Sequence, residues 1–398
     1  MAELKTIDGV DVRGKRVLVR VDFNVPLKDG AVSDDTRIRA ALPTIEALTG
    51  GGAKVILMSH LGRPAGTGFE EKFSLAPAAA RLAELVDAPV QMASDIVGDD
   101  AREKAAALAD GSVLVLENLR FDPREKKNDA GFCEELASLA DIYVNDAFGT
   151  AHRAHASTTG VAHLLPAYAG YLLSSEVGTL SGMLDAPKRP FVAILGGSKV
   201  SDKVGVIDAL IDKADTIIIG GGMCFTFLAA QGLGVGTSLK EDDWVERAGD
   251  MMAKAKAAGV DLLLPIDVVC ADRFAADAAT LVCEADSIPD DMMGLDIGPK
   301  TAKRYAEAIA AGKTVFWNGP MGVFEMPAFE AGTRAVAQAM ADNADAATII
   351  GGGDSVAAVN QFGMADRMTF ISTGGGASME LVEGKTLPGV AALGVPAA

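Results

Sequence analysis

Cysteine is scarce in this chain, and its four cysteines, Cys133, Cys224, Cys270 and Cys283, form no CxxC pair. Their spacing suggests neither a zinc site nor a disulfide framework, so they read as free thiols of a reducing compartment. No run of about 18 apolar residues occurs, which argues against a membrane-spanning helix. The opening stretch MAELKTIDGVDVRGK lacks the apolar core of a signal peptide, and the cytoplasm is the expected location. Positive charge is also in deficit: 36 Lys and Arg against 54 Asp and Glu give a net charge of −18. That balance argues against a nucleic-acid binder or an anionic-membrane binder. Any anion this protein holds must be gripped by cations gathered locally. No low-complexity tract and no short-period repeat is present.

A chain of 398 residues, 49% of them hydrophobic, has material for two cores and favours two domains over one. Its pattern is strand, then helix, repeated. The apolar runs RVLVRVDFN (16–24), VILMSHLGR (55–63), VLVLENLR (113–120) and IYVNDAFG (142–149) alternate with helix-spaced segments at 35–51, 74–86 and 132–140. After 190 the alternation resumes. FVAILGG (191–197), TIIIGGG (216–222), VFWNGP (315–320), TIIGGG (348–353) and FISTGGG (370–376) each stop on glycine, with helices expected near 201–213, 223–231, 241–258, 301–312, 328–342 and 354–362. A further strand is expected over 261–270. Such alternation implies βαβ units and parallel sheets, an α/β fold. The amphipathic segment 166–190 separates the halves.

The two sets of strand ends differ in chemistry. Ligands of open α/β sheets bind at the carboxyl ends of the strands. Glycine there exposes backbone N–H groups to a phosphate chain, whereas Arg, His, Asn and Asp there grip a small polyanion. In the glycine-rich half, Gly312-Lys313-Thr314 tempts a P-loop reading, but Glu307 stands where the loop needs Gly and a strand follows. GxGxxG is missing too, since Phe225 occupies the last position after Gly220, Gly221 and Gly222. Any one glycine cluster is explained by a tight turn. Several in one half, beside GGSKVSDK (196–203), point to phosphate. Lys199 and Lys203 share a helical face if Ser201-Asp202 begins a helix; alone they would be a solvated pair. Asp354 is either a plain N-cap or a carboxylate placed to hold Mg²⁺ beside a phosphate chain. Glu325 is either a surface carboxylate or a partner for ribose hydroxyls.

In the other half, Asp22 and Asn24 lie two apart at a strand end and share a side. Arg37, His60, Arg63, Arg120 and Arg153 lie along or just beyond the strand-helix units. Singly, each arginine is a solvent-exposed charge. Converging on one rim they would repel one another unless an anion sits among them, and guanidinium forks suit carboxylate and phosphate oxygens. His152 and His155 flank Arg153, and the spacing offers either two metal ligands lacking a third or two orienting groups.

RVDFNVP (20–26), DTRIRA (35–40), SHLGRP (59–64), LENLRF (116–121), NDAFGTAHRAHAST (145–158), GGSKVSDK, GGGMCFTF (220–227), WNGPMGVFE (317–325), GGGDS (351–355) and STGGGAS (372–378) resemble, in order along nearly the whole chain, the motifs of the phosphoglycerate kinases. Ser198 and Ser355 stand where many members have Ala and Thr. The resemblance implies two Rossmann-like domains: an N-terminal phosphoglycerate-binding domain at 1–170, an interdomain helix at 171–186, and a C-terminal nucleotide-binding domain at 187–382. The tail 383–398 would pack back on the first domain. It implies reversible phosphoryl transfer from 1,3-bisphosphoglycerate to ADP, with Mg²⁺ accompanying the nucleotide, direct in-line transfer after domain closure, and a monomer. Carried over motif by motif, Asp22, Asn24, Arg37, His60, Arg63, Arg120 and Arg153 would bind phosphoglycerate, with Arg37 nearest the transferred group. Lys199 and Lys203 would touch the moving phosphoryl and the nucleotide phosphates. Asn318, Gly352, Gly353, Ser355 and the glycines 374–376, Gly376 among them, would line the phosphate path. Gly221, Gly222 and Gly294 would border adenine, Glu325 the ribose and Asp354 the magnesium. Arg37, Lys199, Gly353 and Gly376 would be the catalytic set. Two rival readings remain, a nicotinamide-dependent dehydrogenase of similar architecture and a noncatalytic module that kept the fold.

Overall fold

A computed structural model describes residues 4–394. Packing divides them into two compact units. The first runs to Gly178 and takes in the chain again from Thr386; the second is Thr179–Lys385. The boundary falls within the helix Tyr171–Asp185.

In the first unit the strands are β1 (Arg16–Arg20), a short antiparallel hairpin of β2 (Leu27–Lys28) and β3 (Ala31–Val32), then β4 (Lys54–Met58), β5 (Val90–Met92), β6 (Val113–Val115), β7 (Ile142–Asn145) and β8 (Ala167–Ala169). Six of them form one parallel sheet in the order β5-β6-β4-β1-β7-β8. β-branched residues suit these central strands, which are covered on both faces and read as continuous apolar runs. Val17 and Val19 of β1 pack with Val55 and Leu57 of β4 and with Ile38, Ile45 and Leu48 of the helix Thr36–Gly50. That helix contains Pro43. β5 is a short edge strand that the sequence pattern did not single out.

The chain's last described helix, Pro388–Ala391, belongs to this first unit. Gly389 N–H donates to Ala151 O (2.8 Å), and Asn145 Nδ2 donates to Gly389 O (3.3 Å). Residues 383–385 stay with the second unit, and 395–398 lie outside the described residues.

The second unit contains β9 (Phe191–Leu195), β10 (Thr216–Ile219), β11 (Asp261–Leu263), β12 (Asp267–Ala271), β13 (Thr280–Glu284), β14 (Met293–Ile297), β15 (Thr314–Asn318), β16 (Ala347–Gly351) and β17 (Phe370–Ile371). Its main sheet is parallel, ordered β11-β10-β9-β15-β16-β17. Trp317, fully buried on β15, packs with Val192, Ile194 and Ile218 and donates from Nε1 to Gly319 O at 2.7 Å. The expected single strand over 261–270 is two. Leu264, Pro265 and Ile266 break it, and β12 leaves for a separate antiparallel sheet, β13-β12-β14. Proline cannot donate to a ladder, which explains the break. The Cys270 and Cys283 thiols lie 3.3 Å apart across β12 and β13.

The helix expected at 201–213 begins only at Val204 and ends at Ile211. Its first turn is unwound because Glu241 takes both the N–H (3.0 Å) and the Oγ (2.6 Å) of Ser201, an alternative to helical bonding for that serine. Lys199 therefore lies in a loop and Lys203 at the helix cap, and the two do not share a helical face.

One buried carboxylate secures the start of the boundary helix. Asp146, just past β7, accepts from the N–H groups of Leu172 (2.9 Å) and Leu173 (3.3 Å), which the helix itself leaves unpaired. Burial pushes its pKa up to about 7, against the lowering effect of Thr44 and those two N–H groups. The native state therefore holds this proton more tightly than the unfolded chain. The stability it contributes is present below the ordinary carboxylate pKa and is lost as pH rises toward 7. Asp146→Asn keeps an acceptor but carries no charge. Its stability relative to the parent should rise by up to about 1.4 kcal/mol per pH unit between pH 4 and 7 and level off above. Urea unfolding across that range checks this, and a pH-independent difference contradicts it.

Candidate functional site

Each unit gathers its polar groups beyond the carboxyl ends of its parallel strands. In the first unit, the chain leaving β1 carries Arg20, Asp22 and Asn24, that leaving β4 carries His60 and Arg63, that leaving β6 carries Arg120, and the segment after β7 carries Arg153. Asp22 Oδ1 accepts from Asn24 N–H at 3.2 Å, so β1 ends in a turn, earlier than the apolar pattern suggested. Arg37, in the first turn of the helix Thr36–Gly50, reaches this turn. Its Nη1 donates to Asp22 Oδ2 and to Asn24 O, both at 3.1 Å. Asn24 Oδ1 then accepts from Gly62 N–H at 2.8 Å, and Arg120 Nη1 donates to Gly62 O at 2.5 Å. Five of the seven residues expected to bind an acidic substrate thus share one hydrogen-bonded frame or stand next to it: Asp22, Asn24, Arg37, Arg120 and, adjacent to Gly62, Arg63.

The other two join by charge. Burial, then Arg20, Arg120, Arg153 and Arg37, push the His60 pKa well below its usual value. Burial, then Arg153 and Arg20, lower Arg120 to about 10, against Glu125 and Asp22. These guanidinium groups are close enough to disfavour one another's charge, the condition under which a bound anion is most stabilising. Arg120 Nε is buried and finds no acceptor among the described residues.

Three members of this cluster were missed from the sequence. Arg20 is 1% exposed, Glu125 1% and Ser157 0%. Arg20 had a signal that was read past: an arginine inside VLVRV, where a strand covered on both faces should carry an apolar side chain. Glu125 and Ser157 had none, because pairing over 32 residues of chain is not written in local pattern.

In the second unit the glycine-ended strands meet at a cavity of about 310 Å³. Lys199, Lys203, Asn318, Gly352, Gly353, Asp354, Ser355 and Gly376 line it, with Gly196, Gly197 and Ser198. Asp354 stands in the first turn of the helix Gly353–Gln361, where N–H groups are unpaired. Lys203 Nζ donates to Asn318 Oδ1, while the buried Asn318 Nδ2 finds no acceptor among the described residues. Burial lowers the Lys203 pKa against the raising effect of Asp202, Asp354 and Glu383, so this ammonium is short of solvent. Ser355 Oγ is occupied, accepting from Gly319 N–H at 2.6 Å.

A second, more apolar cavity of about 590 Å³ continues from this one, sharing Gly197, Ser198 and Asp354. Gly221, Gly222, Gly294 and Glu325 line it, as expected, together with Leu239 and Phe274, which were not expected. Phe274 is 60% exposed, and a lone aromatic in the polar run DRFAADA was its signal.

Glycine is required for specific reasons here. A Cβ at Gly221 (φ +64°) would sit 2.5 Å from Gly197 O, and one at Gly352 (φ +88°) 2.6 Å from Asn318 Nδ2. Gly352→Ala should therefore dislodge Asn318 and, where ADP binds as the resemblance implies, weaken that binding by about tenfold or more. Calorimetry that finds unchanged affinity would overturn this.

Among the described residues no group of three His, Cys, Asp or Glu side chains is placed to hold a metal ion. The two-histidine metal alternative at 152 and 155 thus gains no third ligand. Asp354 could bind a cation only together with oxygens of a ligand or water. Also among the described residues, no helix is long and apolar enough to cross a membrane.

Two α/β units built on parallel sheets, one presenting amides and lysines and the other guanidinium groups, have the site chemistry of proteins that handle small phosphorylated molecules. Comparison with known proteins makes the class specific. A family model described as phosphoglycerate kinase matches residues 7–385. The chain is 60% identical over 394 residues to the phosphoglycerate kinase of Synechococcus sp. (strain RCC307), covering 98% of each. It is 57% identical over 392 residues to that of Clostridium novyi, again covering 98% of each. Among solved structures, phosphoglycerate kinase from Coxiella burnetii superposes with a TM-score of 0.90 at 43% identity, and that from Pyrococcus horikoshii OT3 with 0.83 at 32%; both matches cover 98% of each chain. The chain belongs to the phosphoglycerate kinase family. The dehydrogenase reading is set aside on that ground.

Proposed function

We propose that the chain catalyses reversible phosphoryl transfer from 1,3-bisphosphoglycerate to ADP, with phosphoglycerate held on the arginine-rich first unit and the nucleotide on the glycine- and lysine-rich second unit. One observation supports a ligand in each cluster: each contains a buried donor that finds no acceptor among the described residues, Arg120 Nε in the first and Asn318 Nδ2 in the second. Buried donors are costly unless something accepts from them, and phosphate or carboxylate oxygens are suitable acceptors.

On this reading Asp22, Asn24, Arg37, His60, Arg63, Arg120 and Arg153 bind the acidic substrate. Gly221, Gly222 and Gly294, with Leu239 and Phe274, border the purine, and Glu325 meets the ribose. Lys203, Asn318, Ser355 and the amides of Gly352 and Gly353 line the phosphate chain. A phosphoryl group in flight carries negative charge on three equatorial oxygens and needs positioning and positive charge more than covalent chemistry. Arg37, Lys199 and the amides of Gly353 and Gly376 supply these from fixed positions. The accepting phosphate and the departing carboxylate are both already ionised in the ATP-forming direction, so no general base is required. Asp354 fits a magnesium ion that arrives on the nucleotide, since its carboxylate, with that of Asp202, lines the cavity beside the amides and lysines; when bound, Mg²⁺ would neutralise phosphate charge. Ligands held on different units react only once brought within ~3–3.5 Å, which requires the units to close. One chain carries both clusters, which supports a monomer as the working form, and its glycolytic substrates support a cytoplasmic location.

A coupled assay tests the reading. The chain supplied with 3-phosphoglycerate and MgATP, linked to reduction of the acyl phosphate, should consume NADH. No turnover would favour a noncatalytic module instead.

A further inference from the structure

Behind the first unit's cluster lies a chain of buried polar groups that the reaction just described does not use. Glu125, in the turn after the short helix Leu119–Phe121, is buried and accepts from Ser157 twice, from Oγ at 2.6 Å and from N–H at 3.0 Å. Ser157 Oγ in turn accepts from Arg20 Nε at 2.9 Å. The same guanidinium donates from Nη1 to Val21 O and places Nη2 3.1 Å from His60 Nδ1. His60 is 3% exposed. The links from Glu125 to Ser157, Ser157 to Arg20 and Arg20 to His60 each join residues far apart in sequence, and all four side chains are buried.

A guanidinium has donors only and does not lose its proton in a protein. The nitrogen facing it must therefore be an acceptor. An imidazole whose Nδ1 accepts is neutral and carries its single hydrogen on Nε2. The Glu125–Ser157 pair matters because it fixes where Arg20 sits. Ser157 Oγ spends its own hydrogen on Glu125 and so has only a lone pair to offer Arg20 Nε. The charged groups that act most strongly on His60 are cationic: Arg20 from β1, Arg37 from the helix Thr36–Gly50, Arg120 after β6 and Arg153 after β7. The carboxylates of this cluster, Asp22 and Glu125, are bonded instead to Arg37 and to Ser157.

We propose that Arg20, anchored by Ser157 and Glu125, is a positioning residue that locks His60 in the neutral Nε2–H tautomer, so that His60 serves its ligand as a hydrogen-bond donor and not as a cation. For the ligand the inference rests on the assignment of phosphoglycerate to this cluster; for the ring it does not. The consequence is a division among the groups that meet one small polyanion. The arginines supply charge, and His60 supplies a directional hydrogen bond that adds no further positive charge to an already crowded cluster.

The chain's four histidines make the test tractable by nitrogen-15 NMR of the labelled, full-length protein. His60 signals, assigned by their loss in His60→Gln, should show a protonated Nε2 and an unprotonated Nδ1, unchanged between pH 5 and 8. A titrating imidazolium, or the Nδ1–H tautomer, would overturn the proposal. Arg20→Gln should release the ring, giving mixed tautomers or titration within that range. Because that variant removes a buried charge and can fail to fold, Ser157→Ala serves as a second probe: Arg20 loses its anchor, and the His60 signals should broaden or shift. Unchanged His60 signals in a folded variant would overturn the anchoring role. Binding of 3-phosphoglycerate gives an independent readout. His60→Gln, which retains a donor near the position of Nε2, should bind more tightly than His60→Ala by about tenfold or more. Equal affinities with the tautomer confirmed would leave the ring assignment standing and contradict phosphoglycerate as the ligand of His60.

Discussion

Arg37→Ala should lower turnover by about 10²–10³-fold, the loss that follows removal of one fixed charge donor from a developing anion. Arg37 is placed for such a role. Its Nη1 is spent on Asp22 and Asn24, which fixes the plane of the guanidinium and leaves Nε and Nη2 for a ligand. Its side chain is 38% exposed, so truncation removes little packing and the fold should survive. The Arg37–Asp22 pair is partly solvated and contributes little stability of its own. If Arg37 acts on the moving group and not on the bound substrate, the loss should appear in kcat with a small change in KM for 3-phosphoglycerate. Steady-state kinetics separates the two outcomes. A variant with near-normal kcat would remove Arg37 from the catalytic set, and one affected only in KM would make it an ordinary substrate ligand.

Lys203→Ala should weaken ADP binding by about 10²-fold. A hydrogen bond to a charged group is worth roughly 1.5–3 kcal/mol, and the change also removes the cation that offsets nearby carboxylates. Those carboxylates, Asp202, Asp354 and Glu383, all act to raise the Lys203 pKa, while burial lowers it. Without the ammonium they would face a polyanionic ligand directly. Asn318 would lose the partner of its Oδ1 as well, and its amide would be free to turn. Calorimetry with ADP reads the effect, and unchanged affinity would place the phosphates elsewhere. Affinity for 3-phosphoglycerate should be untouched, since that ligand is assigned to the first unit and Lys203 belongs to the second.

Much of this was legible in the amino-acid sequence. The parallel sheets were readable because continuous apolar runs such as FVAIL and TIII have the length and β-branching of doubly covered strands. The candidate site residues could be picked out because they cluster within a few residues of those runs, where an α/β sheet presents its ligands. What stayed hidden depended on partners distant in sequence. The late start of the helix at Val204 is set by Glu241, a loop residue 40 positions beyond Ser201. The split after Leu263 has a local signal in Pro265, but the antiparallel sheet that β12 then joins does not. Arg20 was visible as an oddity inside a strand, yet its role needed Ser157, which lies 137 residues away. Buried polar networks are assembled by tertiary contact, and a periodicity of two or of 3.6 carries no information about them.

In the proposed reaction a phosphoryl group passes directly between two ligands, with charge and position as the whole of catalysis. The most direct test is stereochemical. Transfer from ATP made chiral at the γ-phosphorus by oxygen isotopes should invert configuration, as one in-line displacement does. Retention would mean two displacements through a phosphorylated side chain, and would contradict the account.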